Sequence, residues 1–360
     1  MQLKNFLAAA LCTADTRLRR GVRFFFHSIV VSLCLTSCGG WQDGGIFEYP
    51  CDEGVDPTLV TVNLIYHCCS DIPLYTTEHL TKVRSVGEVR RYNYEILSAD
   101  TLFKKGTIER GVDDLSDVKL SVSLPSGDYK VVMWQDCIDK YGEPFYNTSS
   151  LDAVLIRDAE SYVGCTDLKD ASWNITELSI PHTDEWNVNI DYNVNLERPV
   201  SKITFLSTDG PIFMQRCTEY LRAKSSYSST LAHDHVRERV SLRFTYEGYI
   251  LSRFDATIGE FRNSALGYGF DGVLEETDKP TDLFIGSDYV FVNEDESVVW
   301  LKLTVIDNLD GSIIEQTDRI RVPLKKGEET VVTGDILTMY WGQGVSIDPQ
   351  FSGEFDYNVD

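Results

Sequence analysis

Three short patterns in the sequence contain residue types that could do chemistry on a bound group. The first, Gly267-Tyr-Gly-Phe-Asp-Gly272, matches the GxGxxG of dinucleotide-binding loops. Such a loop holds a pyrophosphate only between a strand and the N-terminus of a helix. The residues that follow are Val-Leu-Glu-Glu-Thr-Asp-Lys-Pro, so acidic side chains stand where a phosphate would lie. We therefore interpret the segment as a glycine-rich loop between strands.

The other two patterns could hold a metal ion. His233-Asp234-His235 offers two imidazoles, but the sequence has no cluster to supply the remaining ligands of a zinc site, so we interpret it as an exposed loop. Two acidic clusters could bind calcium, but neither has the residue order of an EF-hand, and we interpret both as solvated turns. They are Asp113-Asp114 with Asp117, and Asn293-Glu294-Asp295-Glu296.

Catalytic motifs are missing from the sequence. It contains no nucleophile elbow, HExxH or P-loop, and no pair of acidic residues stands out as a catalytic pair. We therefore expect no enzymatic activity, no cofactor and no bound metal.

The clearest chemical signal ends at Cys38. A short apolar run from Phe24 follows four arginines and leads into Leu35-Thr-Ser-Cys38. A basic region, a short apolar region and small residues describe a secretory signal, and the run is shorter than the ~18 residues of a membrane-spanning helix. The ending resembles the bacterial lipobox, in which the cysteine is acylated and becomes the new N-terminus. We predict lipidation of Cys38; the alternative is a plain signal whose Cys38 forms a disulfide.

The charge of the chain limits its partners. The sequence has 33 Lys+Arg against 56 Asp+Glu, a net charge of −23, and removal of residues 1–37 changes it to −27. Such a surface repels nucleic acid, which we exclude as a partner. With 42% hydrophobic and 11% aromatic residues, the chain can bury ordinary cores. Its length suggests two domains of ~150 residues each.

Six cysteines follow Cys38 and would meet an oxidising compartment after export. They are Cys51, Cys68, Cys69, Cys137, Cys165 and Cys217. The sequence does not choose among the possible pairings. Cys68 and Cys69 are adjacent in a predicted strand and would point to opposite faces, so they are not expected to pair with each other. We expect at most one disulfide, and Cys137 to be a thiol in the core.

Side-chain alternation predicts strands through most of the chain. Val60, Val62, Leu64 and Tyr66 would share one face, and residues 118–124 and 129–134 would form a hairpin around Pro125-Ser-Gly-Asp. Residues 186–196 alternate throughout, with Trp186 on the apolar face. Further strands are predicted at residues 91–98, 153–157, 200–207, 240–246, 289–293, 298–306, 313–323 and 330–333. One helix is expected at residues 213–224, and a hairpin turn at residues 307–311.

Short strands at regular spacing without a βαβ rhythm predict an all-β fold of two tandem antiparallel β-sandwiches. Glu197-Arg-Pro breaks the alternation, and we place the domain boundary there. The predicted organisation is a lipoprotein signal at 1–37, a flexible tether at 38–57, sandwiches at 58–197 and 198–345, and a tail at 346–360.

Several stretches resemble a known family. Leu124-Pro-Ser-Gly-Asp-Tyr followed by Val-Val-Met-Trp134 resembles the LPxGxY…W strands of the fimbrillin-associated anchor lipoproteins of Bacteroidales. Arg198-Pro-Val-Ser-Lys-Ile203 looks like the start of their second domain. Residues 289–293, and 322–338 in part, also resemble the closing strands of a related lipoprotein group.

The resemblance implies two transthyretin-like sandwiches on an outer-membrane lipid anchor at Cys38, exposed at the cell surface. It implies a role in anchoring or assembling fimbriae, whose subunits add a strand to a neighbour's sheet. An open sheet edge leaves backbone groups that an added strand satisfies. The alternative is a surface protein that binds a glycan or host ligand, with Trp173, Trp186 or Trp341 stacking on sugar rings. A hydrolase ranks third.

Overall fold

The computed structural model describes residues 59–67, 88–224, 233–293, 296–341 and 345–349. All of them belong to one compact unit. Cys38, the predicted tether, Cys51, Cys68 and Cys69 lie outside the described residues.

Strands form most of this structure. In chain order they are β1 (Leu59–His67), β2 (Val89–Ser98), β3 (Thr101–Gly111), β4 (Val118–Pro125), β5 (Gly127–Ile138), β6 (Tyr146–Asn147), β7 (Val154–Ile156), β8 (Ser172–Ile180), β9 (Asn189–Asn195), β10 (Val200–Ser207), β11 (Val240–Tyr246), β12 (Ile250–Asp255), β13 (Glu260–Ala265), β14 (Gly269–Asp271), β15 (Glu275–Glu276), β16 (Leu283–Phe291), β17 (Glu296–Asp307), β18 (Ile313–Gln316), β19 (Ile320–Lys325), β20 (Glu329–Gly334) and β21 (Val345–Pro349). The helices are α1 (Gly210–Lys224) and α2 (His233–Arg239), with 3₁₀ turns at Leu151–Ala153, Asp167–Lys169 and Ile336–Trp341.

The first half forms a sandwich of two sheets. Their strand orders are β4-β1-β9 and β3-β2-β5-β8. The alternation predicted for β1 is confirmed, because Val60, Val62, Leu64 and Tyr66 are all completely buried in the core between the sheets. This burial of alternate side chains fixes which face of β1 turns inward, since a one-residue slip would expose all four.

The second half forms another sandwich, with strand orders β15-β16-β10-β20-β21 and β14-β11-β17-β18, and with β19 also paired to β17. Its core includes one face of α1, which buries Phe213, Met214, Cys217 and Leu221. The helix predicted at residues 213–224 is confirmed and begins three residues earlier, at Gly210. The all-β class predicted from the sequence is therefore confirmed.

A third, smaller sheet includes strands from both halves. Its order is β13-β12-β7-β6, and Phe254 of β12 pairs with Val154 of β7. An aromatic core lies beside it, in which Phe254 packs against Trp134 and Trp173. The proposed boundary at residue 198 stays a prediction, because this core is shared by residues on both sides of it.

Two strand pairs run parallel within otherwise antiparallel sheets. They are β1 with β9 and β10 with β20. Side-chain alternation is the same in parallel and antiparallel strands, so the sequence pattern did not distinguish them.

The hairpin predicted around Pro125-Ser-Gly-Asp is wrong. Both strands form, but β4 pairs with β1, whereas β5 pairs with β2 and β8 in the other sheet. The connection therefore crosses from one sheet of the sandwich to the other. Gly127 has a φ of +149°, so the turn needs its glycine as expected. A sheet-crossing turn and a hairpin turn use the same residue types, which explains the error.

The strand predicted at residues 186–196 begins later than expected. Asn187 has a φ of +59°, which interrupts the extended backbone, and β9 starts at Asn189. Trp186 therefore leaves the apolar face and is 46% exposed, so its placement in the core is wrong. Val194 and Leu196 remain buried as predicted.

Two predictions near the end of the chain also differ from the structure. The single strand expected at residues 313–323 is divided into β18 and β19. Residues 345–349, most of which were assigned to a tail, form β21 and pair with β20.

We predict that Gly127→Ala lowers the free energy of unfolding by about 1–3 kcal/mol, because L side chains rarely adopt this φ. A Cβ at Gly127 would lie 3.6 Å from its nearest neighbour, so the cost is conformational and not steric. Gly111→Ala is the matched control: its Cβ would meet nothing within 4 Å, and the change should stay within ~0.5 kcal/mol. Equal denaturant midpoints for the two variants would contradict this account of the turn.

Candidate functional site: an open sheet edge and a buried charged junction

The histidine motif does not form the loop expected of it. His233 to His235 begin helix α2, and their side chains lie outside the described residues. The helix spans only seven residues, so the sequence pattern that could have predicted it is weak. Within the described parts of the chain, no three His, Cys, Asp or Glu side chains cluster as metal ligands would.

The first acidic cluster forms a turn, as predicted, and the carboxylate of Asp114 binds nearby residues of the chain. Asp114 accepts hydrogen bonds from the backbone N–H (3.0 Å) and hydroxyl (2.5 Å) of Ser116, and these bonds lower the pKa of its carboxyl group. Arg110 lies 3.5 Å away. In the second cluster, Glu294 and Asp295 lie outside the described residues. The GxGxxG segment begins in the loop after β13, but its residues Gly269–Asp271 form β14, which pairs with β11, so its interpretation as a loop is only partly right.

The three tryptophans proposed as sugar platforms have different environments. Trp173 is buried, and its ring packs 4.9 Å from that of Phe254. Trp186 is exposed next to the bend at Asn187, whereas the side chain of Trp341 lies outside the described residues. Only Trp186 therefore has a described ring that a ligand could reach.

The described cysteines do not suggest reactive chemistry. Cys137 is buried as predicted, Cys165 is half-buried, and burial raises the pKa of the Cys217 thiol to about 12. The pairing of the other cysteines stays a prediction.

Membrane attachment was predicted through Cys38, which lies outside the described residues. Among the helices that the structure describes, none combines the length and apolar character needed to cross a membrane.

Strand β3 forms the most prominent open edge in the structure. It has 11 residues, the longest of any strand at the end of a sheet in the described chain, and within that part it pairs only with β2. Its outer N–H and C=O groups face away from β2 and can accept another strand. The turn that precedes it is tight, with positive φ values at Ala99 (+47°) and Asp100 (+60°). This two-residue turn joins β2 directly to β3, and the pairing register of the two strands shifts between Ile96 and Leu97, close to the tip of the hairpin.

The side chains at the start of β3 distinguish this edge from the rest of the surface. Leu102 and Phe103 are 48% and 51% exposed, and the ring of Phe103 packs against that of Tyr129 in a T-shaped arrangement with their centres 5.6 Å apart. Lys104 and Lys105 follow and are exposed as well. The edge thus combines free backbone groups, two apolar side chains and positive charge within an acidic protein. We call Thr101–Gly111 the β3 edge.

A second arrangement of charges lies where the two halves meet, and four of its residues, Lys169, Arg198, Lys202 and Asp288, are buried. The 3₁₀ turn Asp167–Lys169 and the next residue, Asp170, point three charged side chains at the second half. Arg198 binds Asp170 through Nε–Oδ1 (2.8 Å) and Nη2–Oδ2 (3.0 Å). Lys202 binds Asp167 at 3.0 Å, and Lys169 binds Asp288. We call these six residues the charged junction.

Lys202 has further partners inside the second sandwich. Its ammonium lies 3.7 Å from Glu329, which also accepts a 2.5 Å hydrogen bond from the hydroxyl of Thr204. Lys202 and Glu329 are both buried. Buried charges persist only when they are paired, so the position of Lys202 on β10 depends on these carboxylates. Sequence reasoning noted Arg198 and Lys202 as a motif but did not assign them this role.

Two β-sandwiches that share a smaller sheet define an all-β protein. The chain belongs to a family of unknown function, DUF6562, whose model matches residues 60–360. No curated protein matches it.

Structural comparison finds several solved proteins at low identity. A candidate polysaccharide-binding protein (DUF1812) from Bacteroides thetaiotaomicron is 12% identical, with a TM-score of 0.43, and the match covers 81% of this chain and 95% of that one. The fimbrial anchor protein Mfa2 from Porphyromonas gingivalis is 12% identical (TM-score 0.40; 76% and 90% covered). The tip fimbrial protein Mfa3 from the same organism is 8% identical (0.38; 77% and 94%).

We predict that Lys202→Met lowers the free energy of unfolding by about 3–5 kcal/mol, because it removes a cation from two carboxylates at the junction. Lys104→Met, at an exposed position of the β3 edge, is the control and should change stability by less than ~0.5 kcal/mol. Denaturant unfolding of both variants measures the difference. A loss below ~1 kcal/mol for Lys202→Met would mean that the junction does not depend on this ion pair.

Proposed function

We propose that this chain is a lipid-anchored protein of the bacterial cell surface that anchors or assembles fimbriae as a minor subunit. In this role it accepts a strand from a neighbouring subunit at the β3 edge. The observation that carries the proposal is the β3 edge itself, an 11-residue strand paired on one side only in the described chain. The lipobox-like sequence that ends at Cys38 supports attachment to the outer membrane.

Strand addition at the β3 edge has a direct physical basis. An incoming strand satisfies the outer backbone groups of β3 and covers Leu102 and Phe103. Each of these side chains is about half exposed, so their burial contributes ~2 kcal/mol together. Backbone hydrogen bonds between β3 and the added strand supply the rest of the binding free energy. Alternate side chains of the added strand determine which partner fits.

Lys104 and Lys105 give the edge its selectivity. Lysines on an edge strand discourage indiscriminate pairing with other sheets. They attract a strand that carries Asp or Glu opposite them, because opposite charges across a strand pair are favourable and like charges are not. The partner expected from this chemistry is an acidic fimbrial subunit.

We predict that Leu102→Asp/Phe103→Asp removes the complex with fimbrial subunits, with an affinity loss of at least ~30-fold from the lost burial alone. The measurement is isolation of the intact protein from outer membranes, a wash in strong denaturant and electrophoresis without boiling. Strand-added complexes resist this treatment because the added strand is part of a sheet. Leu309→Asp, at a residue 71% exposed in the turn after β17, is the control and should keep the complex.

A lone monomer band for the unmodified protein would contradict the fimbrial role. A complex that survives the double substitution would show that assembly uses a different edge.

Glycan binding is the second candidate, favoured by the exposure of Trp186. An exposed indole beside a bend can stack on the apolar face of a sugar ring. On this alternative, Trp186→Ala abolishes binding to surface polysaccharide in a glycan array, while Tyr249→Ala, at another exposed aromatic residue, does not. Equal binding by the two variants would exclude Trp186 as the platform.

A further inference from the structure

Asp288 on β16 lies at the centre of a buried polar cluster that the proposed function does not use. Its side chain is completely buried, and that of Lys169 is 5% exposed. These two residues are 119 positions apart in the sequence, and they join the 3₁₀ turn before β8 to the second sandwich. The rings of Tyr162 and Tyr246 surround them, with the Lys169 ammonium 3.8 Å above the centre of the Tyr162 ring.

The two oxygens of the Asp288 carboxyl group have different partners. Oδ2 accepts hydrogen bonds from the hydroxyls of Tyr162 and Tyr246, both at 2.7 Å. Oδ1 contacts the Lys169 ammonium and accepts the backbone N–H of Tyr289 at 2.8 Å. One oxygen is therefore held by two hydroxyl donors, while the other faces the lysine nitrogen.

We propose that Lys169 and Asp288 condense into an intramolecular amide, an isopeptide bond that links the two halves of the protein covalently. The lysine transfers a proton to Oδ1, which leaves a neutral amine beside a neutral carboxylic acid. The amine nitrogen attacks Cγ, and Oδ2 carries the negative charge of the tetrahedral intermediate. A second proton moves from nitrogen to Oδ1, the Cγ–Oδ1 bond breaks, and one water molecule leaves. No oxidant or cofactor is required.

The environment of the pair favours each step. Burial raises the free energy of the ion pair relative to that of a neutral amine and a neutral acid. Transfer of the proton from Lys169 to Asp288 therefore costs less here than in water. Burial lowers the pKa of Lys169, which favours the nucleophilic amine. Burial also raises the pKa of both Tyr162 and Tyr246, so the two hydroxyls stay protonated. They already point at the oxygen that becomes the oxyanion, as donors in an oxyanion hole do.

The other lysine of the charged junction provides an internal comparison. Lys202 also contacts carboxylates, but the side chain of its nearer partner, Asp167, is 43% exposed to water, and its buried partner, Glu329, lies 3.7 Å away. Water solvates the Asp167 side chain, so formation of a neutral amine and a neutral acid gains nothing from burial there. The same chain therefore contains one buried lysine–aspartate pair that is expected to react and one lysine–aspartate pair that is not.

Mass spectrometry of the purified full chain tests the proposal without any substitution. The bond makes the protein lighter than its sequence mass by one water molecule. Trypsin cannot cleave after an acylated lysine, so residues 158–202 should stay joined and be linked to residues 263–302 in one branched peptide. Separate peptides 158–169 and 170–202 at full yield would overturn the proposal.

Two kinds of variant separate the reaction from folding. Lys169→Arg keeps the positive charge but has no amine to acylate, so it should retain the full mass. Tyr162→Phe/Tyr246→Phe keeps the amine and the carboxyl group but removes both donors, so the bond should form more slowly, by at least ~100-fold on the precedent of lost oxyanion donors. Lys202→Arg is the matched control and should show the mass loss in full. Unchanged kinetics in the double tyrosine variant would contradict the role given to Oδ2.

Discussion

The burial of charge at the junction between the two sandwiches is the constraint on which much of the structure depends. A charged side chain removed from water is costly unless an opposite charge meets it. One short segment, residues 167–170, supplies three charges to this junction, and each has an opposite charge on a buried side chain of the second half. The 3₁₀ turn, the start of β10 and the middle of β16 must therefore occupy fixed relative positions. This explains why the small sheet and the aromatic core around Trp134 and Phe254 combine residues from both halves.

The sequence patterns that were read correctly all depend on local physics. Period-two alternation located β1 and β11, because burial alternates along most of each strand and apolar residues occupy the buried positions. The turn at Asp307 to Gly311 was found for the same reason, since Gly311 has the positive φ that the turn requires. The features that were missed depend on distant partners or on single residues. The turn at Gly127 does not show which sheet receives β5, and Asn187 ends an alternation that otherwise continues to Trp186.

The residues of the candidate site depend even more on partners that are distant in the sequence. Arg198 and Lys202 were visible as a motif, but their function as the cations of a junction required the carboxylates of Asp170 and Asp167. Lys169 and Asp288 gave no signal at all, because a lysine in a loop and an aspartate in a strand are ordinary until the fold buries them together. The β3 edge lies between these cases. Its lysines and apolar residues stand in the sequence, but no strand was predicted at residues 101–111, and the absence of a second described neighbour follows only from the sheet order.

The open edge and the junction are connected through one sheet. A strand added to β3 would be hydrogen-bonded through β2 and β5 to β8, and Trp173 of β8 exchanges two backbone hydrogen bonds with Glu197 (2.8 and 2.9 Å). Residues 167–170 lie immediately before β8, and Arg198 immediately follows Glu197. A pulling force applied at the edge would reach the junction along strands, where many hydrogen bonds share the load. The load would then cross the contact between the halves through the paired charges of the junction, where the amide proposed between Lys169 and Asp288 would add a covalent link.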